Sequence, residues 1–396
     1  MSYLSNAVVN RLNLHTAMHA FAWNMSGGFF VVYLFSHGIP VEDLFVWIAC
    51  LFAIRFIIRP IVLVAAPRVG VLRLVILGGV FFAVDYVLLA RVDGVDAKFV
   101  IYCVFYALAD AFYWTCYHAI FAFVAEDGHR GKQIGAREAV TTLVGIIAPL
   151  AGGLAIDRFG ASASFAFAAA LEICAIVPLL GLPDLPVETV RPRGAFSAVR
   201  EAAFLFGADG WIGVGVNFMW SVALFASASS GFATFGGLMA LGGLISAGGG
   251  LLVGKTLDRQ SGAAAAVILN GGLLMVVIVA KAIAVGAGAF ELNAGVLAVG
   301  SLLGASYTPL LMTTIYALAA RSPCLLRFMF ITEVSWDAGC IAACIVTAFL
   351  LRSGVSWGWC VALAAAGALV QTALLRRHHG ARIRRRTEDV ALLDEV

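Results

Sequence analysis

Twelve apolar runs follow one another along the chain, separated by charged residues or by clusters of Gly and Pro. A helix needs about 20 predominantly apolar residues to cross a bilayer, and each run approaches or exceeds that length. The runs fall at about 16–36, 43–66, 70–90, 98–124, 135–157, 161–182, 203–227, 232–254, 263–286, 294–319, 327–351 and 354–375. The pattern therefore predicts an all-α membrane protein with twelve transmembrane helices.

The composition excludes a soluble enzyme. Of 396 residues, 62% are hydrophobic and 12% are charged, with a mean hydropathy of +0.97, whereas soluble domains carry roughly 25% charged residues. The net charge of +3 is too small to indicate a nucleic-acid partner. The eight cysteines are scattered singly through apolar stretches, a pattern typical of free buried thiols, so we expect no metal site and no bound cofactor.

The basic residues cluster at one face of the predicted helix array. Short loops rich in Lys and Arg stay in the cytoplasm, and most of the 26 basic residues fall at one set of loop ends and in the tail after residue 375. The opposite loops offer mainly Arg91, Lys98, Arg158 and Arg352. An even number of spans then places both termini in the cytoplasm of a multi-pass protein of the inner (cytoplasmic) membrane.

The chain also divides into two similar halves. The longest internal polar connection runs from Pro183 to Arg200. Some residues of the first half recur in the second half about 193–195 positions later. The pairs are Asn24 with Asn217, Tyr113 with Tyr307, and Glu138 with Glu333. We therefore predict two pseudo-symmetric six-helix bundles, 1–183 and 201–375, joined by a cytoplasmic linker 184–200 and followed by a cytoplasmic tail 376–396, as in one large class of transporters.

The loop after the eighth span resembles a signature of the major facilitator superfamily. Residues 254–262 read GKTLDRQSG and match the pattern Gly-x-x-x-Asp-Arg-x-x-Gly, which that family carries after its eighth and second helices. The resemblance implies that Asp258 forms a cytoplasmic ionic lock with Arg321 or Arg327. The first-half loop, PRVGVLR at 67–73, has proline in place of the acid. The alternative for residues 254–262 is an ordinary solvated loop that forms no ionic lock.

The fifth span resembles the Gly-Pro-x-x-Gly-Gly signature of the drug and metabolite exporters in that family. Residues 148–153 read APLAGG, with Ala148 in place of the leading glycine. Small residues allow close packing against a helix of the other half, and proline bends the helix. The resemblance favours export, although Gly and Pro are common in membrane helices generally. In this family spans one, four, seven and ten line a central cavity, and spans two, five, eight and eleven flank it.

The fourth span carries the richest set of candidate substrate-binding residues. One helical face bears Tyr102, Tyr106, Asp110, Tyr113 and Tyr117, bordered by Trp114 and His118. Lipid tails offer these polar groups no partner, so we expect the face to line the cavity. A carboxylate among aromatic rings suits a cationic or aromatic amphiphile. The alternative is a packed tyrosine stripe whose hydroxyls bond to neighbouring helices.

Three other cavity-lining spans supply further candidates for substrate binding. These are Trp23 and Asn24 in the first span, Asn217 and Trp220 in the seventh, and Tyr307 and Tyr316 in the tenth. The matched positions of the two asparagines in the two halves predict polar amides on opposite walls of one cavity. Core packing is the competing interpretation for each residue taken alone.

Charged residues inside the membrane indicate a network between the halves. The second span carries Arg55 and Arg59 one turn apart, and the eleventh carries Glu333 and Asp337 at the same spacing. Arginine keeps its charge and therefore needs an acidic partner, so we predict that the two pairs meet and act as a gate, as a proton-sensitive switch, or as both. The candidates for proton coupling are Asp110, Glu333, Asp337 and Glu138. We assign no role to Asp85 and Glu172.

These features together predict a secondary-active transporter that acts as a monomer on a small-molecule substrate by alternating access. We expect export driven by a proton gradient, with no cofactor other than a proton or another ion. The alternative is proton-coupled uptake of a small organic anion clamped by Arg55 and Arg59. A third interpretation is an intramembrane enzyme or a membrane assembly factor, but the sequence contains no HExxH and no soluble domain that could hold a cofactor or nucleotide.

Overall fold

The computed structural model describes residues 6–124, 130–187, 199–229, 231–257, 263–304 and 306–394, and this part of the chain is helical without strands. The α-helices are α1 (Ala7–Met25), α2 (Phe30–Ser36), α3 (Val41–Ile58), α4 (Ile61–Val69), α5 (Val71–Leu89), α6 (Ala97–Val124), α7 (Arg130–Phe159), α8 (Ala161–Ile176), α9 (Val199–Gly213), α10 (Trp220–Ser227), α11 (Phe232–Leu257), α12 (Ala263–Ala287), α13 (Phe290–Gly304), α14 (Tyr307–Ala319), α15 (Leu325–Arg352), α16 (Trp357–Ala362) and α17 (Ala364–Asp394). A π-helical segment, Val214–Met219, joins α9 to α10.

Ten helical segments in the described ranges are long and apolar enough to cross a membrane, and the bent pair α3 and α4 makes eleven. The first predicted span, made of α1 and α2, is not among them. Its helix α1 carries Arg11, His15 and His19 among its apolar residues, which lowers its hydropathy. The observed fold is thus an all-helical membrane fold, compatible with the predicted twelve spans.

An acid from the linker region completes the loop between α4 and α5. Gly70 has φ +99°, in the region that favours glycine, and a Cβ built at this residue would lie 2.2 Å from an oxygen of Asp184. The other oxygen of Asp184 accepts a hydrogen bond from the backbone N–H of Leu72 at 2.8 Å, in the first turn of α5. The carboxylate that is missing from this loop in the sequence is therefore supplied by Asp184, more than a hundred residues further on.

The two halves meet along two long helix pairs, α3 with α15 and α7 with α11. On α7, a Cβ built at Gly153 would lie 2.2 Å from the carbonyl oxygen of Phe232, which begins α11. A Cβ built at Gly236 would lie equally close, 2.2 Å, to the carbonyl oxygen of Pro149. The close packing that the small residues of the fifth span predict is thus present in the structure, and it joins the two halves.

Polar contacts also join the halves at the end of the array that carries Asp43 and Arg352, which the charge pattern predicts to be extracytoplasmic and which we call the outer end. Arg352 donates to Asp43 at 2.7 Å, and both side chains are exposed. The backbone N–H of Ala233 donates to Asp157 at 2.8 Å. The outer ends of the two halves are therefore in contact in this conformation.

Candidate functional site

An ion network of four side chains lies at the contact between α3, α6 and α15. Arg55 contacts Asp110 at 2.9 Å (Nη1 to Oδ2) and also bonds to Asp337. Arg59 contacts Asp110 at 2.9 Å (Nη2 to Oδ1) and Asp337 at 2.9 Å (Nε to Oδ2). All four side chains are buried, and Arg59 and Asp337 have no exposed surface. Each guanidinium therefore bridges one carboxylate from each half of the molecule.

Glu333 joins this network by longer contacts. Its Oε2 lies 3.5 Å from Nη1 of Arg59, and its Oε1 lies 3.9 Å from Nε2 of His118. The same Nη1 donates a hydrogen bond to Thr115 at 2.9 Å. Glu333 is consequently the most loosely held of the three carboxylates. We use "ion network" below for these five charged residues, Arg55, Arg59, Asp110, Glu333 and Asp337.

The ion network is formally unbalanced, because two guanidiniums face three carboxylates. The charge of these five side chains is −1 when all are ionised and zero when one carboxylate carries a proton. Asp337 lies twelve residues into α15, about 18 Å from its start at 1.5 Å per residue. At such a depth an unpaired charge costs several kcal/mol.

The tenth span reaches this region through Tyr316. The hydroxyl of Tyr316 accepts a hydrogen bond from Arg137 at 2.8 Å and lies 2.6 Å from Nδ1 of His118. If this hydroxyl donates to Nδ1, neutral His118 carries its proton on Nε2, which faces Glu333. Arg137 also stacks on Phe121, with 4.9 Å between the guanidinium carbon and the ring centroid. Helices α6, α7 and α14 are therefore linked beside the ion network.

The tyrosine face of the fourth span packs largely within the first half. The hydroxyl of Tyr113 lies 2.8 Å from Nε2 of His15, whose Nδ1 donates to the carbonyl of Ala175 at 2.7 Å. Tyr117 forms a hydrogen bond with Thr16. These contacts are those of the alternative interpretation, a packed stripe with bonded hydroxyls. Substrate binding by Tyr113 and Tyr117 remains a prediction.

The remaining residues predicted on the first and fourth spans have mixed surroundings. Tyr106 lies beside Trp23, with 6.2 Å between ring centroids. Asn24 donates to the carbonyl of Ala20 in its own helix at 2.7 Å. Trp114 stacks on His118 at 5.3 Å. Trp23, Asn24 and Trp114 are half-buried, so part of each side chain stays accessible beside the aromatic core.

Sequence reasoning left Glu172 unassigned, and the structure pairs it with a histidine. Nδ1 of His19 lies 2.9 Å and 3.0 Å from the two carboxylate oxygens of Glu172, and both residues are buried. The signal in the sequence was the pair His15 and His19, four residues apart in an apolar run. Asp85 is also buried, and its Oδ1 has no hydrogen-bond partner in the described structure.

Sequence reasoning also missed Asp209 on the seventh span. One oxygen of Asp209 accepts a hydrogen bond from the hydroxyl of Tyr307, and the other accepts one from Nε1 of Trp336 at 2.9 Å. Asp209, Tyr307 and Trp336 are all half-buried. Three spans of the second half, the seventh, tenth and eleventh, thus converge on one carboxylate.

The two residues predicted on the seventh span diverge. Asn217 lies eight residues after Asp209, in the π-helical segment, and is exposed. Trp220 is buried under the ammonium group of Lys281, at 4.7 Å from the ring centroid. Lys281, a second charged residue that sequence reasoning missed, donates to the carbonyl of Val216 in the π-helical segment at 3.0 Å. Trp220 therefore packs toward α12, while Asn217 remains exposed.

The predicted ionic lock lies partly outside the described residues. Asp258 falls in 258–262, which the structure does not describe, so its pairing with Arg321 or Arg327 stays a prediction. The side chain of Glu138 is likewise outside the described part. Among the side chains that are described, no group of three or more His, Cys, Asp or Glu could hold a metal ion.

Comparison with protein-family profiles identifies one family. The sequence profile described as the Major Facilitator Superfamily matches residues 12–324, and no curated protein sequence matches the chain significantly. Among solved structures, the human organic anion transporter MFSD10 (TETRAN) is 14% identical, with a TM-score of 0.64 over 93% of this chain and 99% of that one. A POT family transporter in complex with 5-aminolevulinic acid is 12% identical, with a TM-score of 0.69 over 93% and 95%. At these identities the likeness concerns the fold.

Proposed function

The chain belongs to the Major Facilitator Superfamily and is a multi-pass membrane transporter, and from this premise we propose that it exports a small organic solute in exchange for protons. Transport proceeds by alternating access, in which the two halves rock about a site near the middle of the membrane. The observation that carries the proposal is the ion network, which joins the two halves and contains one more carboxylate than guanidinium.

Glu333 is the proton carrier in this proposal. Its contacts of 3.5 Å to Arg59 and 3.9 Å to His118 are longer than those of Asp110 and Asp337. Protonation of Glu333 therefore costs less ion-pair energy than protonation of either aspartate. Asp110 and Asp337 each make close contacts with two guanidiniums. A proton on Glu333 brings the five-residue charge to zero and weakens one of the ties between α3 and α15.

The change of protonation acts on the contact between the halves. Among the described residues, Arg59 makes the ion pair that joins Glu333 to the end of α3. When Glu333 is neutral, the ion pairs between α15 and α3 run through Asp337 alone, and separation of the helices on one side of the membrane becomes less costly. The solute and the proton can therefore bias the same equilibrium in opposite directions, which is the requirement for exchange.

Export as the direction rests on the fifth span. The exporter-like sequence at 148–153 coincides with a close helix contact between the halves, where Gly153 meets Phe232 and Gly236 meets Pro149. Uptake of an anion clamped by Arg55 and Arg59 is less favoured, because both guanidiniums already face carboxylates.

The test is transport in proteoliposomes under an imposed pH gradient, with a panel of organic cations and neutral amphiphiles and with internal pH recorded. In Glu333→Gln we expect gradient-driven flux to fall at least tenfold while exchange of labelled for unlabelled solute persists, since exchange needs no proton. Asp96→Asn, in an exposed outer loop, is the control and should retain full flux. Full coupling in Glu333→Gln, or a wild-type protein that moves no proton against any solute it carries, would refute proton exchange at this residue.

A further inference from the structure

The second half presents an accessible polar face at the middle of the seventh span. Asp209 and Gly213 lie four residues apart on one face of α9, and the side-chain nitrogen of Asn217, in the π-helical segment that follows, lies 3.6 Å from a Cβ built at Gly213. Asp209 is half-buried and Asn217 is exposed. The indole of Trp336 covers the glycine between them, since a Cβ built at Gly213 would lie 3.8 Å from Cζ2 of Trp336. Asp209, Asn217 and Trp336 are thus less buried than the side chains of the ion network.

Both carboxylate oxygens of Asp209 accept hydrogen bonds from neutral donors within the membrane. The N–H of Trp336 can only donate a hydrogen bond, and it donates to one oxygen while the hydroxyl of Tyr307 donates to the other. Both oxygens therefore accept, as they do in an ionised carboxylate. Asp209 lies ten residues into α9, about 15 Å from its start. Among the described residues Asp209 forms no salt bridge. Its carboxylate is therefore held by hydrogen-bond donors and is not paired with a cation.

The arginines of the ion network do not neutralise Asp209. The guanidinium carbon of Arg55 lies 5.0 Å from the ring centroid of Trp336. Arg55 forms its ion pairs with Asp110 and Asp337. The same indole therefore contacts a paired arginine with its ring and the carboxylate of Asp209 with its N–H. A carboxylate at this depth without a cation costs free energy, so such residues are found where a ligand or a proton neutralises them.

Asp110, the acid that the sequence favours as the partner of a cationic solute, is not available for that role in this conformation. Its Oδ1 contacts Arg59 at 2.9 Å and its Oδ2 contacts Arg55 at 2.9 Å. A solute cation would have to displace an arginine from either oxygen. Asp209 requires no such displacement, because its hydrogen-bond partners, Tyr307, Trp336 and Gln371, are neutral donors.

We propose that Asp209 is the counter-ion for the positively charged group of the exported solute, which would be an organic ammonium or a similar cation. The indole of Trp336 and the ring of Tyr307 supply faces for cation–π and apolar contact, and the amide of Asn217 supplies a polar contact eight residues further along the same span. This inference rests on the proposed transport function and names its substrate class. It separates the solute site at Asp209 from the proton site at Glu333.

The probe is tetraphenylphosphonium, a permanent organic cation that cannot itself carry a proton. Saturable binding of the labelled cation to purified protein is measured with an excess of unlabelled cation as background. We expect Asp209→Asn to weaken binding at least tenfold. We expect Asp209→Glu, which keeps the charge, and Trp336→Phe, which removes the N–H donor but keeps an aromatic ring, to weaken binding less. Asp96→Asn should bind as the wild type does.

The outcomes separate this inference from the proposed function. Glu333→Gln should bind the cation while losing coupling to the pH gradient, so a failure of coupling alone leaves the solute site standing. Size-exclusion profiles and thermal stability establish which variants are folded. The inference is overturned if wild-type protein shows no saturable binding, or if folded Asp209→Asn binds with unchanged affinity. It is likewise overturned if Asp209→Asn keeps binding and loses only proton coupling, because the carboxylate then carries a proton rather than the solute.

Discussion

Arg59 makes more polar contacts than the other members of the ion network. It reaches Asp110, Asp337 and Thr115 at 2.9 Å and Glu333 at 3.5 Å, from three different nitrogens. A planar guanidinium can direct its donors to several acceptors at once, whereas an ammonium group concentrates its charge at one point. Fully buried ion pairs tolerate little change of geometry, because loss of one partner leaves the other charge unpaired.

We therefore expect Arg59→Lys to abolish transport although it preserves the charge. One ammonium cannot reach three carboxylates and a hydroxyl, so gradient-driven flux should fall at least tenfold. Arg59→Ala should in addition destabilise the protein by roughly 3–5 kcal/mol, as expected when a buried pair loses one partner. Flux in proteoliposomes and thermal unfolding in detergent measure the two effects.

Arg68→Lys is the matched control, since exposed Arg68 donates to the carbonyl of Val64 in its own helix at 2.7 Å. Its flux and thermal stability should stay close to those of the wild type. Wild-type flux in Arg59→Lys would show that charge alone, without the geometry of the guanidinium, is sufficient at this position.

At the scale of elements, the pair α7 and α11 holds the halves together by backbone contact rather than by large side chains. Glycines on both helices meet carbonyl oxygens of the opposite helix, at Gly153 and at Gly236. In a membrane the close approach of helices depends on such small residues, because lipid offers no hydrophobic force between them. Any added side-chain atom at these positions must separate the two helices.

We expect Gly153→Ala to weaken closure of the outer end. The new methyl group would lie 2.2 Å from the carbonyl oxygen of Phe232, so α7 and α11 must move apart. The transport rate should fall about tenfold and the unfolding temperature should drop by several degrees. Gly145→Ala on the same helix meets no atom within 4 Å and should change neither quantity appreciably. Equal behaviour of the two variants would contradict a role for this contact.

At the scale of the whole molecule, the outer ends of the two halves are joined across the protein. The ion pair between Asp43 and Arg352, at 2.7 Å, is exposed, and exposed pairs contribute only about 0–1 kcal/mol. The pair therefore shows where the two halves meet but contributes little to the stability of their contact. Alternating access requires these ends to separate during each cycle.

A covalent link at this place should stop transport. In Asp43→Cys with Arg352→Cys, built in a background where exposed Cys50 and Cys174 are serine, we expect oxidation or a short cross-linker to block flux. A reductant should restore it where a disulfide has formed. Each single cysteine variant, treated identically, is the control and should keep its flux. Undiminished transport by fully cross-linked protein would mean that the outer ends need not separate.

Much of the fold follows from hydropathy, and part of the ion network from spacing. Long apolar runs predict helices because the bilayer leaves backbone groups no other partner, although polar residues in α1 keep the first segment below the apolarity of the others. Arginines and acids spaced four residues apart predicted that Arg55 and Arg59 face Glu333 and Asp337, and the structure brings these four together. The functional roles of these residues remain predictions.

The sequence by itself determined that this chain is a helical membrane protein, which charged residues lie within its spans and which family it resembles, because hydropathy and motifs are local properties. The tertiary structure decided which acid pairs with which base. Arg59 meets Asp337 across 278 positions of sequence, and the packing of the helices gives Asp110 two arginines while Asp209 has only neutral donors. Partner choice depends on how each helix is rotated against its neighbours, and a single sequence does not encode that rotation in any local pattern.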